Sequence, residues 1–394
     1  MRPLLIALLW LLAACQPPVI APTPIPIPPW GEPVTLAEAA QGDAPAVHIG
    51  SNTISAFWIG VDGAGVHHDA RTLLGGELSP VTVLPLPPEN PYDQRVYAAS
   101  GDHLHLLWLD RGEGDVLTLF AALLAPDLRV ERLTAVSDGL ALRYAAVSDG
   151  AGGLWVAWSG GVLSEPVVSL RRIDSAGRPL DVRTMALDAT FPALVRSNDG
   201  AVTLYWIQQG QVMAARAGGE PLEPRALTST VSLRDGDLLE GLSAALDNNT
   251  AYLFWNISRA DGRHETWFAS GALGDGVWSA PVRLGIEVLG GERLVTPFGV
   301  GDVPAARMGA QALAWASPAA GQYDVLPVAV QHEGGLGIAY FRDGEPVGYG
   351  EVIHNTQLIG FPALHVDPAG HLYLAWTSPD ADRAALRLAT TRAG

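Results

Sequence analysis

Hydrophobic positions in this chain follow a repeat of about fifty residues. Short apolar runs end on tryptophan: TISAFW, HLHLLW, GLWVAW, AVTLYW and TAYLFW place Trp58, Trp108, Trp158, Trp206 and Trp255 at intervals of 50, 50, 48 and 49 residues. Trp315 and Trp376 extend the series at 60 and 61, the last closing HLYLAW. The runs are apolar on both parities, as in strands buried on two faces. A second column lies upstream of each: Pro45-Ala46, Tyr97-Ala98, Tyr144-Ala145, Pro192-Ala193, Ser243-Ala244, Pro304-Ala305 and Pro362-Ala363. Turn-forming residues such as GSN, SGD, SNDG and DPAG separate the columns, so each pair predicts a hairpin.

After each tryptophan come a polar loop and two further strand-like segments. The last recurs as SPVTVL (79–84), VERLTAV (130–136), APVRL (280–284) and PVGYGEVI (346–353). Four antiparallel strands in about fifty residues are one propeller blade. A blade cannot bury both faces alone, and stacking in a ring does so. The pattern therefore predicts an all-β, seven-bladed β-propeller spanning residues 31–394. After Trp376 only RAALRLATT remains, one strand short of a complete blade. GEPVTLA (31–37) matches the missing fourth strand, so the N-terminal strand is expected to complete blade seven and leave no open edge. Such strand exchange resembles the closure of known propeller families. Blade six is longer, and two registers compete. Either Trp315 joins the tryptophan column, or QALAWAS (311–317) is the first strand and YDVLPVAVQ (323–331) the second. In both, LGIAYFRDGEPVGYG (336–350) parallels VMAARAGGEPLEPRA (212–226) as the second half of the blade.

The N-terminus is of a different kind. A positive start, the apolar run Leu4–Leu12 and Leu12-Ala13-Ala14-Cys15 have the form of an export signal. The run is too short for a permanent spanning helix. Leu-Ala-Ala-Cys resembles the lipobox of bacterial lipoproteins, which implies lipidation of Cys15, the one cysteine of the chain. Residues 1–15 are accordingly assigned as signal peptide, with membrane attachment through Cys15 and an extracytoplasmic location at the cell surface or periplasmic face. Residues 16–30 hold seven prolines in fifteen positions and read as a polyproline II tether of roughly 45 Å.

Beyond Cys15 there is no cysteine to form a disulfide, so the propeller must be held by its core. The net charge of −17 speaks against a nucleic-acid partner. Loops leading into the first strands and loops following the second strands are expected to share the face around the channel mouth. They carry the candidate ligand-binding residues Asp43, Arg95, Arg143, Asp302, Asp110, Arg259 and Asp380, with Glu240, Asp62, Arg111, Asn256, Asp261, His264 and Asp382 nearby. This mixed acidic and arginine-bearing rim suits a glycan or an envelope protein.

No catalytic set is evident. The chain is loosely similar to sialidase-like and WD40-like propeller repeats, and Arg95, Arg143, Tyr97 and Tyr144 are the residue types a sialidase site uses. The matching motifs are absent, however: FPAL at 191–194 and 361–364 lacks the arginine of the FRIP-type signature, and the Asp-box spacing is broken at 197–206 and 366–376. His103 and His105 alternate on a predicted second strand, His67-His68 lie on a third, and His371 with Tyr373 repeats the first pair. None has the third ligand a zinc site needs, so packing or surface roles are expected and no metal or other cofactor is assigned. The turn Arg234-Asp235-Gly236-Asp237 lacks a twelve-residue calcium-loop pattern. The leading expectation is a membrane-anchored binding or scaffold module. The alternative is a carbohydrate-active hydrolase or lyase working at the channel mouth.

Overall fold

The computed structural model describes residues 29–284 and 325–391, apart from short stretches of which 39–45 is the longest. Residues 1–28, which hold the expected signal peptide and most of the expected tether, and Asp43, Asp302 and Trp315 lie outside the described residues. Seven antiparallel sheets stand in a closed ring. Blade two shows the unit plainly: Tyr92–Ala98, Leu104–Arg111, Leu117–Leu124 and Val130–Ala135, each paired with the next. Blades three to five repeat it, starting at Ala141, Ala189 and Leu238. In blade one the outer strand is split into Glu77–Leu78 and Thr82–Leu84, both paired with Gly65–Leu74.

The ring closes as the sequence predicts. Val34–Glu38 pairs antiparallel with Arg383–Thr390 and becomes the outer strand of blade seven. Trp30 bridges Thr391, and Gly31 N–H donates to Thr390 O at 2.8 Å, so the pairing continues almost to the first described residue. Arg71 fastens this strand to blade one, donating to Leu36 O at 2.7 Å and Ser79 O at 2.6 Å.

Alternating strand residues point to the two neighbouring blades, and among the described residues the result is seven separate apolar cores, one per junction. Phe57, Ala70, Leu106 and Trp108 join blades one and two, for example, and Trp58, Leu36, Ala375 and Leu388 join seven to one. Trp58, Trp108, Trp158, Trp206, Trp255 and Trp376 are all buried. Burial of one large side chain contributes about 2–3 kcal/mol, and here each contribution falls at a blade–blade contact.

Blade six corrects both sequence registers. Among the described residues its strands are Leu326–His332, Gly335–Arg342 and Glu345–His354. Leu326–His332 lies beside Ile359–Val366, the first strand of blade seven, and is the edge strand on the inner side of the described sheet. Tyr340 takes the tryptophan position: it is buried and packs with Leu374 and Trp376 of the next blade. LPVAV at 326–330 thus matches FPALV at 191–195, and the column continues through tyrosine. The Arg342–Glu345 hairpin joins strands two and three, whereas in blade four Gln211–Ala217 and Arg225–Thr230 are strands three and four. The parallel between 336–350 and 212–226 fails for that reason, and PVGYGEVI is a third strand, not a fourth.

Candidate functional site

Five of the first strands begin with a β-bulge at the same end of the channel. Register shifts fall between Tyr92 and Arg95, Ala141 and Arg143, Thr190 and Ala193, Leu239 and Gly241, and Ile359 and Ala363. A bulge inserts an extra residue and re-aims its side chain. Asp93 and Phe191 sit in these bulges with φ of 51° and 53°, a left-handed conformation that non-glycine residues adopt at a cost of order 1 kcal/mol or more. Such strain is tolerated where the surroundings over-determine it.

The bulges bring side chains from three blades, and a main-chain oxygen from a fourth, into one cluster. Asp93 of blade two holds Arg95 in a two-point ion pair, with Nε at 3.2 Å and Nη2 at 3.1 Å. The Arg95 guanidinium lies 4.5 Å from the centre of the Tyr144 ring of blade three. The Tyr144 hydroxyl donates to the main-chain oxygen of Asp93 at 2.5 Å and approaches Leu107 O at 3.2 Å. Burial opposes the Arg95 charge, but Asp93 and the neighbouring tyrosines more than offset it, and the guanidinium is held above its ordinary value. Burial pushes the Tyr97 phenol up, against the pull of Arg95 beside it.

Arg143 is arranged differently. Its Nη1 reaches past blade four to donate to the main-chain oxygen of Glu240 in blade five at 2.7 Å. Beneath it lies the Phe191 ring of blade four, 4.7 Å away at the centroid. No carboxylate lies within ion-pair distance of Arg143 among the described residues, and the side chain is exposed. An exposed guanidinium oriented over an aromatic ring offers its remaining N–H donors on an apolar platform. That combination recognises carboxylates, sulfates or vicinal hydroxyls.

The other rim candidates are placed elsewhere. Asp110 is buried and accepts the amides of Asn90 at 2.6 Å and Arg111 at 2.7 Å, which anchors the chain leading into blade two. Arg259 is buried between Asp237, at 2.5 Å, and Glu265, contacted through Nε at 2.7 Å. Trp267 Nε1 also donates to Glu265 at 3.0 Å. This set ties the segment before blade five to the following hairpin. Asp380 ends the second strand of blade seven opposite Arg383. Asp93 and Phe191 were not singled out from sequence. The recurrence of Phe191 as Phe361 in FPAL was the available signal, but a positive φ at phenylalanine has none.

His67, His68, His103, His105 and His371 have local partners, while His67 Nε2, His68 Nε2 and His105 Nδ1 are buried without a hydrogen bond among the described residues. His105 Nε2 contacts Gly152 O at 2.9 Å, and His103, just ahead of the strand rather than in it, contacts Glu131 at 3.2 Å. His371 and Tyr373 both bind the Asp367 carboxylate, at 2.8 and 3.1 Å. His67 lies between Asp69 at 2.9 Å and Asp62 at 3.4 Å. Among the described residues no group of three or more His, Cys, Asp or Glu is placed to hold a metal ion.

No sequence family and no curated protein matches the chain. Many solved structures share its fold. The polysaccharide lyase Uly1 superposes with a TM-score of 0.57 at 10% identity, over 90% of this chain and 91% of that one. A protein of unknown function from Dyadobacter fermentans DSM 18053 gives a TM-score of 0.49 at 9% identity, covering 77% and 95%. An endo-arabinase from Bacteroides thetaiotaomicron VPI-5482 gives 0.41 at 10% identity, covering 93% and 98%. At 10% identity the likeness to the first of these shows the fold alone.

Proposed function

We propose that this chain is a membrane-anchored extracytoplasmic binding module that takes a polar, anion-bearing ligand at the channel mouth between blades two and five. The observation that carries this reading is Arg143, an exposed guanidinium over Phe191 with no carboxylate partner, in a protein whose net charge is −17. Burial lowers the Arg143 pKa, and the attraction of Asp93 and Glu240, from beyond ion-pair distance, only partly offsets it, so a contacting anionic group would supply charge compensation that the cluster itself does not. Arg95 acts as support, because its charge is already engaged by Asp93.

The test is binding of the purified protein to arrays of acidic and neutral glycans and to extracted envelope proteins. Arg143→Ala should abolish capture of the ligand without altering the melting temperature. Unchanged capture by both Arg143→Ala and Arg95→Ala would remove the mouth as the site. Recovery of a stoichiometric protein in the same experiment would make the module an envelope scaffold. For the anchor, Cys15→Ala should move the protein from the membrane to the soluble fraction, and retention would overturn lipid attachment.

The fold-level overlap with a polysaccharide lyase favours a second reading, a lyase or hydrolase acting at the same mouth. There Arg143 would neutralise a sugar carboxylate, and the carboxylates of Asp93 and Glu240 and the phenol of Tyr97 would be the proton-transfer groups to examine. New reducing ends or unsaturated uronates, lost in Tyr97→Phe or Asp93→Asn, would establish it. Intact polysaccharide after prolonged incubation would leave binding alone.

A further inference from the structure

Each residue of the tryptophan column faces a partner on the third strand of its blade. The partners are Asp69, Phe120, Ser169, Met213, Trp267, Gly348 and Arg387, in blade order. Gly348 lies opposite the smaller Tyr340 of blade six. Among the blades that keep the tryptophan, Ser169 of blade three is the smallest partner, and it coincides with a cavity of about 250 Å³. Trp158, Ser169, Val167, Gly160 and the Asp138–Leu140 segment line it.

Blade one shows the same place filled. Residues 100 apart correspond: Trp58 with Trp158, Gly60 with Gly160, His67 with Val167, and Asp69 with Ser169. In blade one the Trp58 indole donates to Asp69, and His67 bonds to Asp69 at 2.9 Å. A Cβ on Gly60 would overlap both the His67 ring and the Asp69 carboxylate, which shows how fully they occupy the space. In blade three, valine and serine leave it open. A Cβ on Gly160 would instead overlap Leu140 O, so glycine is what lets the 138–140 segment close over the cavity.

We propose that the blade-three cavity binds one uncharged, hydroxylated ring of monosaccharide size. Its volume is just below the roughly 300 Å³ at which drug-sized ligand pockets begin, enough for a single ring and not for a chain. The polar groups are mixed: neither the Trp158 indole N–H nor the Ser169 hydroxyl has a hydrogen-bond partner among the described residues, and Asp138 is an acceptor. Hydroxyls, which donate and accept, match such a set. Arg171 neutralises Asp138 through two contacts at 3.0 and 3.1 Å, so the cavity offers no net charge to hold an ion. Trp158 adds an apolar wall for ring C–H groups. The cavity is one strand outward of the mouth, since Arg143 pairs with Ser159, and it does not depend on the ligand taken there.

The experiment is saturation-transfer NMR with calorimetry on the full chain in detergent, using xylose, glucose and galactose, with glucuronate as charged control. At least one neutral sugar should bind, with glucuronate weaker. The V167H/S169D double variant, which installs the occupants found in blade one, should weaken binding about tenfold or more, near 1.4 kcal/mol. If that variant does not fold, Ser169→Val gives the same reading by narrowing the cavity and removing its hydroxyl. Arg143→Ala should leave the sugar affinity unchanged, which separates this site from the mouth. No binding of any neutral sugar, equal binding by the filled variant, or loss of binding on Arg143→Ala would each overturn the proposal.

Discussion

Two arginines of this propeller, Arg143 and Arg259, come from equivalent ends of their blades and do opposite work. Arg259 is buried among Asp237, Glu265 and Trp267, and every donor it directs inward is met. Arg143 is exposed, touches a carbonyl and a ring, and has no carboxylate within ion-pair distance among the described residues, Asp93 and Glu240 attracting it only from further away. The difference lies in the neighbours that each bulge or hairpin supplies. Blade five places Asp237 and Glu265 on either side of one guanidinium; blade four places a phenylalanine under the other. A charged residue at a propeller mouth is therefore a fastening or a site according to its partners from other strands.

The comparison breaks most readily at Arg259. Arg259→Ala removes the cation that Asp237 and Glu265 share and leaves Glu265 only the longer contact to Arg283 at 3.6 Å, and unfolding by urea should show a loss of about 3 kcal/mol, the low end for broken buried pairs. Arg95→Ala should cost less, about 2 kcal/mol, because Asp93 keeps partial access to water. Acid titration sharpens the contrast. Burial works against the Glu265 charge, but the Arg259 hydrogen bonds win and hold its pKa below the ordinary carboxylate value. A depressed carboxylate contributes stability that is present above its unfolded pKa and lost as pH falls through the folded value. The gap between wild type and Arg259→Ala should therefore be full at neutral pH and shrink below about pH 4. The smallest effect is expected at Arg143: Arg143→Ala should change unfolding stability by no more than about 0.5 kcal/mol. A loss as large as that of Arg259→Ala would make it a second fastening and remove the contrast.

A separate pH effect involves the blade one–two junction. Burial pushes the His68 imidazole down to about 4, and His67 beside it adds to the shift. The ring lies edge-on to Trp108 at 4.8 Å, with Gln94 at its Nδ1. Its unfolded value is near 6.5, so the unfolded chain binds more protons between about pH 6.5 and 4, and stability should fall through that window. His68→Gln should flatten that part of the stability–pH curve.

Much of this was legible along the chain. The tryptophan column marked the second strands because a residue buried on both sides has to be apolar at every position, and such runs stand out locally. The ring closure was readable because GEPVTLA supplies the one strand that RAALRLATT lacks. Blade six misled because the column there is carried by Tyr340, while Trp315 offered a more conspicuous match. At the mouth, Arg95 and Arg143 were picked out as isolated charges. Asp93 was not, since its role follows from a bulge two residues earlier than the charge it holds.

By itself, then, the amino-acid order determined the number of blades, their strand order and the pairing of the two ends, all of which follow from local periodicity and from the need to pair every edge. The tertiary structure decided which arginines are satisfied, which tryptophan borders open volume and where blade six starts. Those depend on side chains from different blades meeting at distances of a few ångströms, and a fifty-residue repeat does not encode its neighbours' packing.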